Sequence, residues 1–142
     1  MMTKEVFLRV KKSLIIHEGL NHFPYLDSVG KVTIGIGYNL TDRGIDSEWI
    51  NSQFNLDVQY FYNQLCEFPW YHLLNEDRQI ILIDMAFMGW KRFLEFEKMI
   101  EALDRRDYET AANEMLESKW AEEVKGRAAL LAEGIRTGVY NI

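Results

Sequence analysis

The chain has 142 residues, 48% of them hydrophobic and 13% aromatic, and a formal net charge of −6. This length and composition predict one compact domain with a true core, and they exclude a largely disordered chain and a second independent domain. The acidic balance argues against general nucleic-acid binding, which requires clustered cations, and a single cysteine, Cys66, excludes an intramolecular disulfide.

The beginning of the sequence carries no feature of a targeting segment. Charged residues interrupt the first twelve positions, so they do not resemble the apolar stretch of a secretory signal. The apolar runs elsewhere are only a few residues long, which predicts neither a transmembrane span nor stable insertion into a membrane. The chain is therefore expected to be made in the cytoplasm.

A helix and a hairpin are predicted first. Apolar residues recur at nearly helical spacing over residues 3–17, and Gly19 is well placed to end that helix. Glu18 then lies at the C-terminal end of the helix, where the backbone dipole favours a carboxyl that keeps its proton. Residues 23–38 predict a β-hairpin with a turn at residues 28–31 and a glycine-rich second strand over residues 32–38.

The remaining sequence predicts helices. Asp46 or Ser47 is expected to cap a helix that runs towards Leu65, and residues 75–77 open a helix that is apolar on nearly all sides and should be the buried central one. Shorter amphipathic helices are predicted at residues 94–103, 108–117 and 125–135, and Gly138 ends the last of them. The predicted fold class is α+β, with a small hairpin lobe on a larger helical lobe.

Two carboxylates are candidates for chemistry. Hydrolysis of a glycosidic bond uses one protonated and one ionised carboxyl group, held in different environments. Glu18 at the helix end and Asp27 in the hairpin are placed to face each other across a cleft, and Thr33 is placed to hold a water beside Asp27. The spacing alone is also typical of two solvated surface carboxylates.

The motifs around these residues resemble those of the phage-type lysozymes, glycoside hydrolase family 24, which include the endolysins of T-even phages. The similar segments are Glu18–Leu20, Tyr25–Asp27, Gly30–Thr41, Ser118–Trp120, Gly126–Ala128 and Ile135–Gly138. The resemblance implies one lysozyme-like domain over residues 1–142. A hairpin-containing lobe at residues 15–60 and a helical lobe at residues 61–142 would be joined by the N-terminal helix, with a cleft between them.

The resemblance also implies roles for individual residues. Glu18 would be the general acid, and Asp27 and Thr33 would hold the nucleophilic water on the opposite face of the sugar. That arrangement predicts inversion at the anomeric carbon, with the two carboxyl groups roughly 6.5–9.5 Å apart.

Supporting positions follow from the same resemblance. Gly37 would line the sugar-binding cleft, Tyr38 stands where relatives often carry a histidine, and Arg127 resembles an arginine that pairs with the catalytic glutamate. One departure lies between Phe87 and Gly89, where relatives usually carry an additional Asn or Gln. It predicts a changed contact with substrate or a changed helical pitch.

The implied activity is that of a muramidase, which cleaves the β-1,4 bond between N-acetylmuramic acid and N-acetylglucosamine in bacterial peptidoglycan. The enzyme would act as a monomer without cofactor or metal, since the histidines and Cys66 lack metal-ligand spacing. It would wait in the host cytoplasm and reach the periplasm or cell wall through a holin-like pore, which leads to lysis. The alternatives are a virion-associated lysozyme, a non-catalytic peptidoglycan-binding or virion structural module, and a transglycosylase that leaves anhydro ends.

Overall fold

The computed structural model describes residues 1–142. The chain forms two compact units, Met1–Ser52 and Gln53–Ile142. The division lies eight residues before the lobe boundary expected at residues 60 and 61, and the N-terminal helix belongs to the first unit. Nine α-helices and three strands confirm the α+β class. In chain order they are α1 (Lys4–Glu18), β1 (Asn21–Leu26), β2 (Val32–Gly35), β3 (Tyr38–Asn39), α2 (Leu40–Arg43), α3 (Ser47–Cys66), α4 (Glu76–Ala86), α5 (Trp90–Leu94), α6 (Glu97–Asp104), α7 (Tyr108–Leu116), α8 (Lys119–Val124) and α9 (Gly126–Thr137).

Local chemistry sets the ends of α1. The Thr3 hydroxyl accepts a hydrogen bond from the Val6 N–H at 3.3 Å and caps the first turn. At the other end Gly19 adopts φ +79° and donates its N–H to the Ile15 carbonyl at 2.9 Å. Glu18 is therefore the last residue of the helix, as the sequence predicts.

The hairpin has three strands where the sequence predicted two. Strand β2 pairs antiparallel with β1, with Tyr25 opposite Thr33, and antiparallel with β3, with Ile34 opposite Tyr38. The prediction of one continuous strand over residues 32–38 was wrong, because Gly35 and Gly37 both adopt positive φ, +66° and +65°. Two such residues turn the backbone between β2 and β3, which glycine permits without a steric penalty.

The helices of the second unit enclose the hydrophobic core. Asn75 caps α4 by accepting the Arg78 N–H at 3.0 Å, which confirms the predicted start of this helix. Trp120 is 3% exposed, which confirms the expectation that it belongs to the core. The other buried apolar residues are Leu65, Trp70, Tyr71, Leu74, Ile81, Leu82, Met85, Ala86, Phe93, Met99, Ala102, Leu103, Ala111, Ala112, Met115, Ala128, Leu131, Ala132 and Ile135.

Helix α4 is buried on one side only, although its sequence is apolar nearly all round. Ile81 and Met85 are fully buried, whereas Ile80 is exposed and Ile83 is half-buried. The expectation of a helix buried on all sides was therefore wrong, because hydrophobicity alone does not supply a packing partner for every face. None of the nine helices is both long enough and apolar enough to cross a bilayer.

Candidate active site on the hairpin

The Glu18 side chain lies directly on the backbone of Gly37. A Cβ atom added to Gly37 would stand 2.9 Å from Glu18 Oε2 and 3.0 Å from its Cδ and Cγ. Gly37 occupies the turn between β2 and β3, so the end of α1 and this turn are in contact. Glu18 is otherwise exposed, which leaves its carboxyl group accessible to a ligand.

Asp27 is held at the other turn of the hairpin by backbone donors. Its Oδ1 accepts hydrogen bonds from the N–H groups of Val29 at 2.9 Å and Lys31 at 2.8 Å. Its own N–H donates to the Lys31 carbonyl at 2.9 Å, and its carbonyl accepts from Gly30 at 3.1 Å. This is the turn geometry that an aspartate followed by small residues and a glycine favours. The Oδ2 atom takes part in none of these bonds.

Thr33 is the only buried residue of the first unit, with 4% of its surface exposed. Its hydroxyl donates to the Lys31 carbonyl at 3.1 Å. Because Thr33 lies opposite Tyr25, and Asp27 follows Tyr25 by two residues, Asp27 and Thr33 share one face of the hairpin. The backbone of Lys31 bonds to both residues and fixes one relative to the other.

Thr33 and Asp27 each keep a hydrogen-bond acceptor that the bonds to Lys31 do not use. The Thr33 hydroxyl already gives its hydrogen to Lys31, so the lone pairs on its oxygen are available to accept one. Asp27 Oδ2 is a second available acceptor, and the two N–H groups on Oδ1 orient the carboxylate by charge-assisted hydrogen bonds.

Tyr38 is fixed within the first unit by three contacts. Its hydroxyl donates to the Gly44 carbonyl at 2.8 Å, and the Arg43 guanidinium lies 4.2 Å from its ring centroid. Its ring also packs against Trp49 at a centroid distance of 5.3 Å. These contacts give Tyr38 a packing role beside the turn that carries Gly37.

Arg127 forms an ion pair in the second unit. Its Nη2 donates to Asp84 Oδ1 at 2.6 Å and to the Asp84 carbonyl at 3.0 Å. The pair borders a groove of about 530 Å³. The apolar residues that line this groove are Phe54, Val58, Ile80, Ile83 and Phe87. Arg127 thus has a carboxylate partner, Asp84, that the sequence analysis did not identify.

The role of Lys31 as the shared partner of Asp27 and Thr33 was also missed, because backbone groups leave no mark in a sequence. The helix that follows was detectable, since Asn39 and Asp42 have the spacing of a helix cap. Asn39 Oδ1 accepts the Asp42 N–H at 3.0 Å, and its amide donates to Asp42 Oδ2 at 2.9 Å.

No three His, Cys, Asp or Glu side chains converge as the ligands of a metal ion would. Comparison of the sequence with known protein families and with curated proteins finds no match in either set.

Proposed function

We propose that this chain is a phage-lysozyme-type glycoside hydrolase that cleaves the β-1,4 bond between N-acetylmuramic acid and N-acetylglucosamine in peptidoglycan. The observation that carries the proposal is the pair formed by Asp27 and Thr33, which are both bonded to the Lys31 backbone. The same hairpin also supports Glu18, through its contact with Gly37. Acid, base and water-holding hydroxyl thus come from one unit, in the order that the family motif has.

In the proposed reaction Glu18 donates a proton to the glycosidic oxygen as the bond from that oxygen to the anomeric carbon breaks. Water held by Asp27 Oδ2 and the Thr33 hydroxyl attacks the anomeric carbon from the opposite face and gives a proton to Asp27. The products are an inverted hemiacetal and a free hydroxyl group. Exchange with solvent returns the proton from Asp27 and reprotonates Glu18, so the cycle needs no cofactor.

The proposal extends to the biological setting of the reaction. Peptidoglycan lies outside the cytoplasm, so we propose a monomeric endolysin that accumulates in the host cytoplasm. It reaches the periplasm or cell wall through a holin-like pore, and hydrolysis of the wall then leads to lysis. A virion-associated lysozyme would use the same chemistry from outside the cell.

Lysis of Gram-negative cells with a permeabilised outer membrane tests the proposal. Wild type should clear the suspension, and Glu18→Gln and Asp27→Asn should each be slower by about a hundredfold or more, because each removes one proton-transfer group. Glu5→Gln, which changes another glutamate of α1 near its opposite end, is the matched control and should clear the cells at the wild-type rate.

Other results would point to other functions. A wild-type chain that sediments with purified peptidoglycan but releases no reducing ends would be a binding or structural module, and the proposal would be wrong. Products that carry anhydro ends would identify a transglycosylase instead. Equal clearing rates for wild type and Glu18→Gln would remove Glu18 from the reaction.

A further inference from the structure

Two side chains of helix α2 form hydrogen bonds with the start of β2, and this pair of contacts is called the tie below. The Thr41 hydroxyl accepts the Val32 N–H at 2.8 Å. The next residue, Asp42, accepts the Lys31 ammonium at 2.9 Å. Two consecutive residues of α2 therefore bond to two consecutive residues at the end of the Asp27 turn, and α2 packs against β2.

The position of this tie matters because Lys31 is the residue on which Asp27 and Thr33 converge. Its N–H donates to Asp27 Oδ1, and its carbonyl accepts from the Thr33 hydroxyl. The tip of the hairpin has no apolar cover that would fix it otherwise, since Leu26 is 69% and Val29 75% exposed. Polar ties must therefore set the position of the Lys31 peptide.

We infer that Thr41 and Asp42 are positioning residues, which act through the Val32 N–H and the Lys31 side chain to fix Asp27 and Thr33 relative to each other. The inference rests on the proposed function and extends it to α2. Their hydrogen bonds go to Lys31 and Val32, and neither residue bonds to Asp27 or Thr33. Their effect is on the rate of the chemical step and not on affinity.

The two ties differ in strength. The Lys31 to Asp42 pair is exposed on both sides, and exposed pairs of this kind contribute little to stability. The hydrogen bonds from Lys31 and Asn39 lower the pKa of Asp42, so the pair persists into acidic solution. The hydrogen bond to Thr41 acts on the backbone itself and should have the larger effect.

Amide hydrogen exchange tests the tie without reference to activity. In Thr41→Val the exchange rates of the Lys31 and Val32 amides should rise about tenfold, because one backbone hydrogen bond of the tip is lost. Thr41→Ser keeps the hydroxyl and should restore slow exchange. Unchanged exchange at Lys31 in Thr41→Val would overturn the inference.

Steady-state kinetics on peptidoglycan fragments tests the consequence for catalysis. Thr41→Val should lower kcat about tenfold with little change in KM, because the water is held in poorer geometry. Asp42→Asn should show a smaller loss in the same direction. Asp57→Asn is the control, since Asp57 is a half-buried aspartate outside the hairpin that also accepts a side-chain hydrogen bond, from the Gln53 amide at 2.8 Å.

The possible results distinguish a failure of this inference from a failure of the proposed function. Release of no reducing ends by wild type overturns the proposed function, and the catalytic part of this inference with it. An active wild type with an unaltered kcat in Thr41→Val overturns the inference alone. A loss of kcat that Thr41→Ser restores, with thermal melting unchanged in the second unit, supports it.

Discussion

From the contact between Gly37 and Glu18 we expect Gly37→Ala to displace the Glu18 side chain. The new methyl group would lie 2.9–3.0 Å from three atoms of the Glu18 side chain. Carbon atoms in ordinary contact are about 3.5–4.0 Å apart. The end of Glu18 must therefore move by roughly half an ångström or more to relieve the overlap.

Backbone strain adds to this overlap, and Gly35 provides a control for it. Gly35 and Gly37 have nearly the same positive φ, +66° and +65°, but a Cβ on Gly35 meets nothing within 4 Å. An alanine at either position costs about 1–2 kcal/mol of stability through its left-handed conformation. Gly35→Ala therefore reproduces the strain of Gly37→Ala without the collision.

The two variants should separate in activity and not in stability. Calorimetry should show similar drops in melting temperature, about 4 °C for each kcal/mol lost. In initial-rate assays of reducing-end release, Gly37→Ala should lose about ten- to a hundredfold in kcat, because the substitution displaces Glu18, the proposed proton donor. Gly35→Ala should stay close to wild type. Equal losses of activity in the two variants, or a wild-type rate for Gly37→Ala, would show that the contact between Gly37 and Glu18 does not control the rate.

Two further predictions concern stability. An alanine at Gly134 would place its Cβ in steric conflict with Ile81 Cδ1, so Gly134→Ala should destabilise the second unit by about 1–3 kcal/mol in urea unfolding. Gly126→Ala, whose Cβ would meet nothing within 4 Å, should leave the unfolding midpoint unchanged or raised. Hydrogen bonds lower the pKa values of Asp42 and Asp107 below the ordinary 3.8. The main donor is Lys31 for Asp42 and Thr110 for Asp107. The stability that these two carboxylates contribute should thus be fully present above pH 3.8 and lost as the pH falls through the lowered pKa values. Asp107→Asn should flatten this acid dependence when melting temperature is measured over a series of pH values. A slope equal to that of wild type would contradict the prediction.

The sequence predicts helices well where capping residues and a long apolar period coincide. Asn75 starts α4 and Gly19 ends α1 because their side-chain or backbone chemistry is local. The short helices α2, α5 and α8 were missed, since four to six residues carry too little periodicity to be recognised. Whether a face of α4 is buried depends on residues distant in sequence, and the apolar pattern could not decide it.

The candidate site divides in the same way. Glu18, Asp27 and Thr33 could be named from residue type, spacing and resemblance to a family motif. Their support could not be named, because the backbone groups of Lys31 hold Asp27 and Thr33. The second turn, at Gly35 and Gly37, was misread as strand because alternating glycines fit a β pattern until positive φ values break it.

Whether Glu18 and Asp27 together hydrolyse the glycan can be measured with purified peptidoglycan in water enriched with a heavy oxygen isotope, followed by mass spectrometry of the fragments. We expect wild type to produce reducing ends that carry one heavy oxygen, and Glu18→Gln and Asp27→Asn to produce almost none. Fragments that end in anhydro sugars, or the absence of any new ends with wild type, would contradict this expectation.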